Sequence, residues 1–311
     1  MKKKYVILVV GLGSLGLNYM KAISKLTLRA DVYYYDKKDS VKNYHFKNTN
    51  NLNYFMIKNI KNFTKKIDLT IISTTANGRY NLINSLIKNR SKYWIIEKMI
   101  EQNIAATNKL NHTMKKFKCW VDIPRRGMKE YKLIKKQFFN HKNIDLKIKI
   151  FGSRIITSSV HLIDLLCWLT NSSIKEINVS KLNKFWTESK RKGFYDIGGE
   201  LIVFLKNNSK IIIKSSKNPN SGDIMVGNKN FYYNIDENKG NIVCSNGQKF
   251  RISPPHVSII MKKIITEILL YGKSYLPRIE EVVNDHNILI KSLKLYWEKT
   301  HKKKIRNLPV T

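Results

Sequence analysis

The chain is 311 residues long, 42% hydrophobic and 26% charged, enough for a full core and, at ordinary domain sizes, for about two domains. With 58 Lys and Arg against 22 Asp and Glu its formal charge is +36, which taken alone points to nucleic acid or an anionic membrane surface. The lysines are scattered, however, no zinc-finger spacing or RNA-binding aromatic motif accompanies them, and the parallel excess of Asn and Ile reads as the drift of an AT-rich coding sequence; a generic field that draws in anionic substrates such as nucleotide sugars, and nucleic-acid binding, stand behind that reading as alternatives. The places where a basic patch would form are Lys2 to Lys4, Arg125-Arg126, Lys190-Arg191-Lys192 and Lys302-Lys303-Lys304. Cys119, Cys167 and Cys244 share no metal-ligand spacing and leave one thiol over in any disulfide scheme, so no metal site is expected. Cys119 and Cys167 read as core thiols, and the cytoplasm is the natural compartment.

Met1 to Lys4 followed by apolar residues imitates a secretory signal, but glycines interrupt the apolar run and no small-residue cleavage site follows; Tyr5 to Val10 is expected to be a strand. No other stretch approaches the roughly eighteen apolar residues that span a bilayer, so no membrane insertion is expected. Gly11-Leu12-Gly13-Ser14-Leu15-Gly16 comes directly after that strand and opens a helix over Leu15 to Leu26. A second strand, Val32 to Tyr35, ends at Asp36, about twenty residues beyond the glycines. The Asn/Lys-rich stretch from Asn43 to Asn62 is compositionally biased. Strands at Leu69 to Ser73, Tyr93 to Ile96 and Cys119 to Val121 then alternate with helices at Tyr80 to Lys88 and Ala105 to Phe117, the pattern of a doubly wound parallel sheet.

After Pro124 the style changes. A helix from Met128 to Phe139 leads to Ile144 to Phe151, whose apolar residues alternate with lysines, and a helix from Ser158 to Leu169 follows. Strand-like runs cluster at Ile174 to Val179, Glu200 to Leu205, Lys210 to Ser215, Ile224 to Val226 and Phe231 to Ile235, before helices at His256 to Tyr271 and Ile279 to Glu298. The expectation is an α/β Rossmann domain over 1–121 and an α+β domain with a largely antiparallel sheet over 122–311, with the C-terminal helix free to pack back on the first domain.

The strand, glycine loop, helix and acidic residue together specify a dinucleotide site. One glycine permits the tight turn, one lets backbone N–H groups approach the pyrophosphate, and one lets helix and strand pack closely, so Gly11, Gly13, Ser14, Leu15 and Gly16 are expected to cradle it at the helix N-terminus. Asp36 would accept from the ribose hydroxyls and repel a 2′-phosphate, favouring NAD over NADP, although Lys37 and Lys38 soften that preference. Ser73, Thr74, Thr75 and Asn77 end a strand at the carboxyl edge and are expected to border the cofactor. Glu97 and Lys98 do the same one strand later; a solvated charge is the plainer reading of Lys98. His161 and Asp164 share a helical face, where the imidazole could take a hydroxyl proton, or both could be satisfied polar groups beside a core. Arg125 and Arg126 would engage an anionic substrate group through paired donors, or form a solvated basic turn.

These segments together resemble the Gfo/Idh/MocA oxidoreductases over nearly the whole chain. The resemblance rests on the glycine loop, on Glu97-Lys98 in the place of Glu-Lys-Pro, on the helix from His161 to Asp164, and on Leu276-Pro277 with Glu280-Glu281 before the last helix. More narrowly, Ser73 to Arg79, Asp122 to Arg126 and the His161 segment look like a branch associated with bacterial surface-polysaccharide gene clusters. The resemblance implies that Lys98 orients the substrate hydroxyl and the nicotinamide, that His161 is the acid/base, and that Thr157, Arg125, Arg126 and Asp164 face a sugar or nucleotide sugar in a homo-oligomer. Two departures stand out. Met99 replaces the proline, and Thr157 stands where the family commonly has an Asp, so a carboxylate would have to come from elsewhere, with Asp164 and Asp122 as candidates. The reaction implied is hydride transfer between nicotinamide and a secondary hydroxyl or keto group; a cofactor-binding sensor or scaffold without turnover is the alternative.

Overall fold

The computed structural model describes residues 3–37, 44–251 and 257–311; Met1, Lys2, Lys38, Asn43 and His256, which entered the expectations above, lie outside them. In chain order the elements begin with β1 (Lys4–Val10), α1 (Ser14–Ile23), β2 (Arg29–Tyr35), β3 (Leu52–Met56), β4 (Leu69–Ile72), α2 (Arg79–Leu86), β5 (Tyr93–Ile96), α3 (Ile104–Met114) and β6 (Lys118–Val121). There follow α4 (Lys129–Phe138), β7 (Asp145–Phe151), α5 (Ile155–Thr170), β8 (Ile174–Asn178), β9 (Leu182–Glu188), β10 (Tyr195–Leu205) and β11 (Lys210–Ser216). The last are β12 (Ile224–Gly227), β13 (Tyr232–Asp236), β14 (Asn241–Cys244), β15 (Lys249–Arg251), α6 (Val257–Tyr271) and α7 (Ile279–His301).

The chain forms two compact units, and the division is not a single cut at 121/122. The first unit comprises Met1–Glu101, Ala105–Asp122 and Pro255–Glu281; the second comprises Gln102–Ile104, Ile123–Pro254 and Val282–Thr311. The first is an all-parallel sheet of six strands in the order β3-β2-β1-β4-β5-β6. Strands β4 and β5 are buried along their whole length, so they are apolar without alternation except at Thr70, whose hydroxyl donates to Ser91 Oγ at 2.9 Å. The strand order reverses between β1 and β4, and at such a switch point the loops leaving the strand ends open a crevice for ligands. Helix α6 belongs to this unit because its apolar stripe, Ile264, Ile265 and Ile268, shares a core with Tyr19, Met20 and Ile23 of α1. Beyond β6 the sheet edge is covered by an extended stretch in which the Pro277 carbonyl accepts from Val121 N at 2.9 Å, with the Arg278 guanidinium 5.6 Å from the Trp120 ring.

The second unit is built on a sheet ordered β15-β14-β13-β12-β7-β11-β10-β8, with β9 paired to β10; every neighbouring pair is antiparallel except β7 with β11. On β7 Leu146, Ile148 and Ile150 are buried while Lys147 and Lys149 are exposed, the alternation of a strand with one covered face. Helix α5 covers that face.

Four strands escaped the pattern reading: β3, β9, β14 and β15. Strand β3 lies in the Asn/Lys-rich stretch and pairs with β2 from Ala30↔Leu52 to Tyr34↔Met56, so its partner rather than its composition holds it extended. Helix α5 begins three residues before the expected Ser158, and the cause, described below, is a carboxylate from β10.

Candidate active site

In the first unit the loop between β1 and α1 is shaped by its glycines. Gly11 has φ +93, and a Cβ on Gly16 would lie 1.9 Å from the Gly11 carbonyl oxygen, so neither position accepts a side chain without moving the backbone. Gly13 is the N-cap of α1 and provides no side-chain cap, leaving the N-terminal N–H groups of the helix without that kind of partner. Asp36, at the end of β2, accepts from Leu12 N at 2.6 Å, and Ser73, just beyond β4, donates to the Gly11 carbonyl at 2.6 Å. Three strand ends thus converge on one loop, and that cradle fits the pyrophosphate of a dinucleotide, with the helix dipole behind it. Thr74 and Thr75 are half-buried beside Ser73, and Asn77 is exposed.

One strand further, Lys98 is 7% exposed and Glu97 half-buried, so the solvated reading of the lysine does not hold. Asp122, at the end of β6, is brought level with them because its N–H donates to the Ile96 carbonyl at 2.8 Å. Burial pushes the Asp122 carboxyl up to about 7, the Glu97 charge adds to the rise, and Tyr19 and Lys98 oppose it. Tyr19 is itself driven well above the ordinary phenol range by burial and by Asp122. Burial and the neighbouring Glu97 charge both disfavour the ionised Asp122 carboxyl, so this group holds its proton to higher pH than an exposed aspartate does.

Arg79, the first residue of α2, is 1% exposed and reaches into the turn that carries Lys98. Its Nη1 donates to the carbonyls of Glu97 at 2.5 Å, of Met99, and of Ile100 at 3.0 Å, and its Nη2 donates to the Thr74 carbonyl at 2.6 Å. Nothing in the sequence pattern singled this arginine out beyond its place in the Ser73 to Arg79 run.

In the second unit His161 is half-buried on α5, and Thr157, one turn earlier, is exposed. Asp164 departs from the expected substrate-facing role: its side chain is 3% exposed and forms a two-pronged ion pair with Arg126, at 3.0 Å from Nε and 2.7 Å from Nη2. Arg125 makes the same kind of pair with Glu237, at 2.8 and 2.7 Å, and Tyr131 donates to that carboxylate at 2.7 Å. Burial pushes Glu237 up, but Arg125 outweighs it and holds the carboxyl below its ordinary value. The donor forks that would have gripped an anionic substrate therefore face internal carboxylates. Sequence reading missed Glu237, which lies between β13 and β14, far along the chain from Arg125.

It also missed Asp196 on β10. This carboxylate accepts from Ile156 N at 2.8 Å, from Thr157 N at 3.0 Å, from the Thr157 hydroxyl at 2.6 Å and from Ile197 N at 2.8 Å. It caps α5 from another element, which lets the helix start at Ile155. The negative charge absent at position 157 sits one hydrogen bond behind it. Burial raises the Asp196 carboxyl, and the Thr157 hydroxyl and the N–H donors oppose that rise. Cys119 and Cys167 are buried with thiols pushed up by burial, and no cluster of three metal-ligating side chains occurs among the described residues.

No protein-family model and no curated protein matches the chain. Solved structures do. UDP-N-acetylglucosamine 3-dehydrogenase GnnA from Acidithiobacillus ferrooxidans aligns with a TM-score of 0.65 at 10% identity, over 93% of this chain and 99% of that one. An oxidoreductase from Agrobacterium radiobacter, in complex with NAD+, L-tartaric acid and magnesium, gives 0.67 at 12% identity, over 92% and 94%. The super-repressor mutant of Gal80p from Saccharomyces cerevisiae gives 0.70 at 13% identity, over 96% and 97%. The chain has the two-domain fold of the Gfo/Idh/MocA-type oxidoreductases.

Proposed function

We propose that this protein is a nicotinamide-dependent oxidoreductase acting on a secondary hydroxyl, or the corresponding keto group, of a sugar or nucleotide sugar. The observation that carries the reading is the glycine cradle, with Asp36 and Ser73 closing on it and a buried Lys98 one strand away in the same unit. When bound, the nicotinamide supplies the hydride acceptor or donor. Gly11 to Gly16 hold the pyrophosphate, and Asp36 favours NAD over NADP by occupying the place a 2′-phosphate would need. Lys98, with its ammonium in a dry surround, donates to the reacting oxygen more strongly than a solvated lysine would. His161 takes the hydroxyl proton in oxidation and returns it in reduction. GnnA, named as a UDP-sugar dehydrogenase, supports the substrate class. Surface-polysaccharide synthesis, a cytoplasmic site and assembly as a homo-oligomer belong to the same proposal.

A second reading, a cofactor-binding protein without turnover, is favoured by Thr157 in place of the family's Asp and by the likeness to Gal80p. Nicotinamide absorbance decides between them, with NAD or NADH offered alongside a panel of nucleotide sugars, sugar acids and inositols. Turnover that falls roughly 100-fold or more in Lys98→Met and His161→Ala is the expected result. Saturable NADH binding with no turnover of any panel member would favour the second reading.

A further inference from the structure

We propose that Arg79 is the positioning residue for Lys98, clamping the backbone on both sides of the lysine and tying it to the strand end that borders the cofactor. The inference rests on the oxidoreductase reading for its catalytic meaning, and on Arg79's own contacts for its mechanics.

An arginine in this position is costly on two counts. It is a cation in the first turn of α2, where the helix dipole favours anions, and it is 1% exposed, where a charge taken out of water needs close polar contacts. A residue needed only to fill space there would be apolar. Four backbone carbonyls aimed at one guanidinium help to offset these costs: Glu97, Met99 and Ile100 on Nη1, and Thr74 on Nη2. Three carbonyls from one short stretch can meet a single nitrogen only when the chain wraps around it. Lys98 lies between the clamped Glu97 and Met99, so the wrap fixes the direction in which its side chain leaves the backbone. A proline at position 99 would restrict the same turn by locking its own φ and limiting the residue before it; Met99 does neither, and the guanidinium supplies the restraint from outside. The Nη2 contact extends the restraint to the Thr74 carbonyl, so cofactor loop and lysine turn share one fixed point.

The clamp is testable without a substrate. Lys98 labelling by an amine-reactive acylating reagent, followed by peptide mass spectrometry, and hydrogen exchange over 97–100 are measured in wild type, Arg79→Lys, Arg79→Met and each variant carrying Met99→Pro. Arg79→Lys keeps the charge but loses the fork, and is the variant of record if Arg79→Met does not fold. The expected result is faster exchange at 97–100 and at least tenfold faster Lys98 labelling in Arg79→Lys, with exchange in β1 and β4 unchanged and partial recovery on adding Met99→Pro. With a substrate from the absorbance panel, kcat should fall about 10- to 100-fold with little change in KM, since misplacement by about an ångström costs that much. Labelling and exchange at 97–100 equal to wild type in Arg79→Lys would overturn the clamp. A labelling change in a protein that turns over no sugar would leave the clamp standing and count against the oxidoreductase reading alone.

Discussion

Asp122 illustrates how a single side chain acquires its character from its surroundings. A carboxyl at about 7 in the folded protein, against about 4 in the unfolded chain, is one the native state holds protonated where the unfolded state has already released the proton. Its contribution to stability is therefore full at low pH and is lost as pH rises through the window from about 4 to 7. Urea unfolding at pH 5 and pH 8 should show wild type losing more stability across that interval than Asp122→Asn, which keeps the size and drops the titration. Equal losses would mean that Asp122 is ionised throughout. Gly16 makes a second residue-scale case. A methyl there meets the Gly11 carbonyl oxygen at 1.9 Å, so Gly16→Ala should cost about 1–3 kcal/mol in denaturant unfolding and abolish saturable NADH binding. Both glycines were legible in the sequence because their constraint is local, a φ and a close approach set within a few residues.

At the scale of elements, helix α5 shows what local reading leaves out. The apolar pattern places its start at about Ser158, whereas the helix begins at Ile155, because its first N–H groups are capped by Asp196, 39 residues from Thr157 and brought in by β10. Four donors depend on that carboxylate, three of them backbone N–H groups. Asp196→Ala should therefore lower stability by about 1–3 kcal/mol, read as a shift in the thermal midpoint, and Asp196→Asn, whose NH2 would face two of those donors, should recover only part of that loss. A loss within error of zero in Asp196→Ala would show that the helix start does not depend on this carboxylate. The strands tell the same story. The runs in β1, β4 and β5 were readable because strands buried on both faces are mostly apolar, whereas β3 is partly and β9 largely exposed, with Asn or Lys among their aromatic residues, and both are held by pairing with β2 and β10.

Across the whole molecule the +36 charge is the dominant electrostatic fact. Many carboxylates are engaged by cations, as in Lys3–Asp68, Lys4–Asp31, Arg125–Glu237 and Arg126–Asp164, but lysines outnumber them so heavily that self-repulsion remains. Screening at about 10 Å in 0.1 M salt should relieve it, so the thermal midpoint is expected to rise between 20 mM and 200 mM sodium chloride; a fall would mean that the surface ion pairs matter more than the repulsion. No helix among the described residues is long and apolar enough to cross a membrane.

Features whose causes lie close along the chain are written in the order of residues: the alternating strands and helices of the first unit, the glycine cradle with Asp36 at the next strand end, and the change of style after Pro124. Tertiary structure alone decided how the charged side chains are used. Arg125 and Arg126 look alike in sequence as substrate ligands, yet each is claimed by a carboxylate 112 or 38 residues away, Asp164 turns inward with one of them, and Arg79 becomes a clamp on four carbonyls. The reason is physical: the cost of removing a charge from water depends on every element that folds over it, and only the assembled fold supplies the partner that makes each burial tolerable.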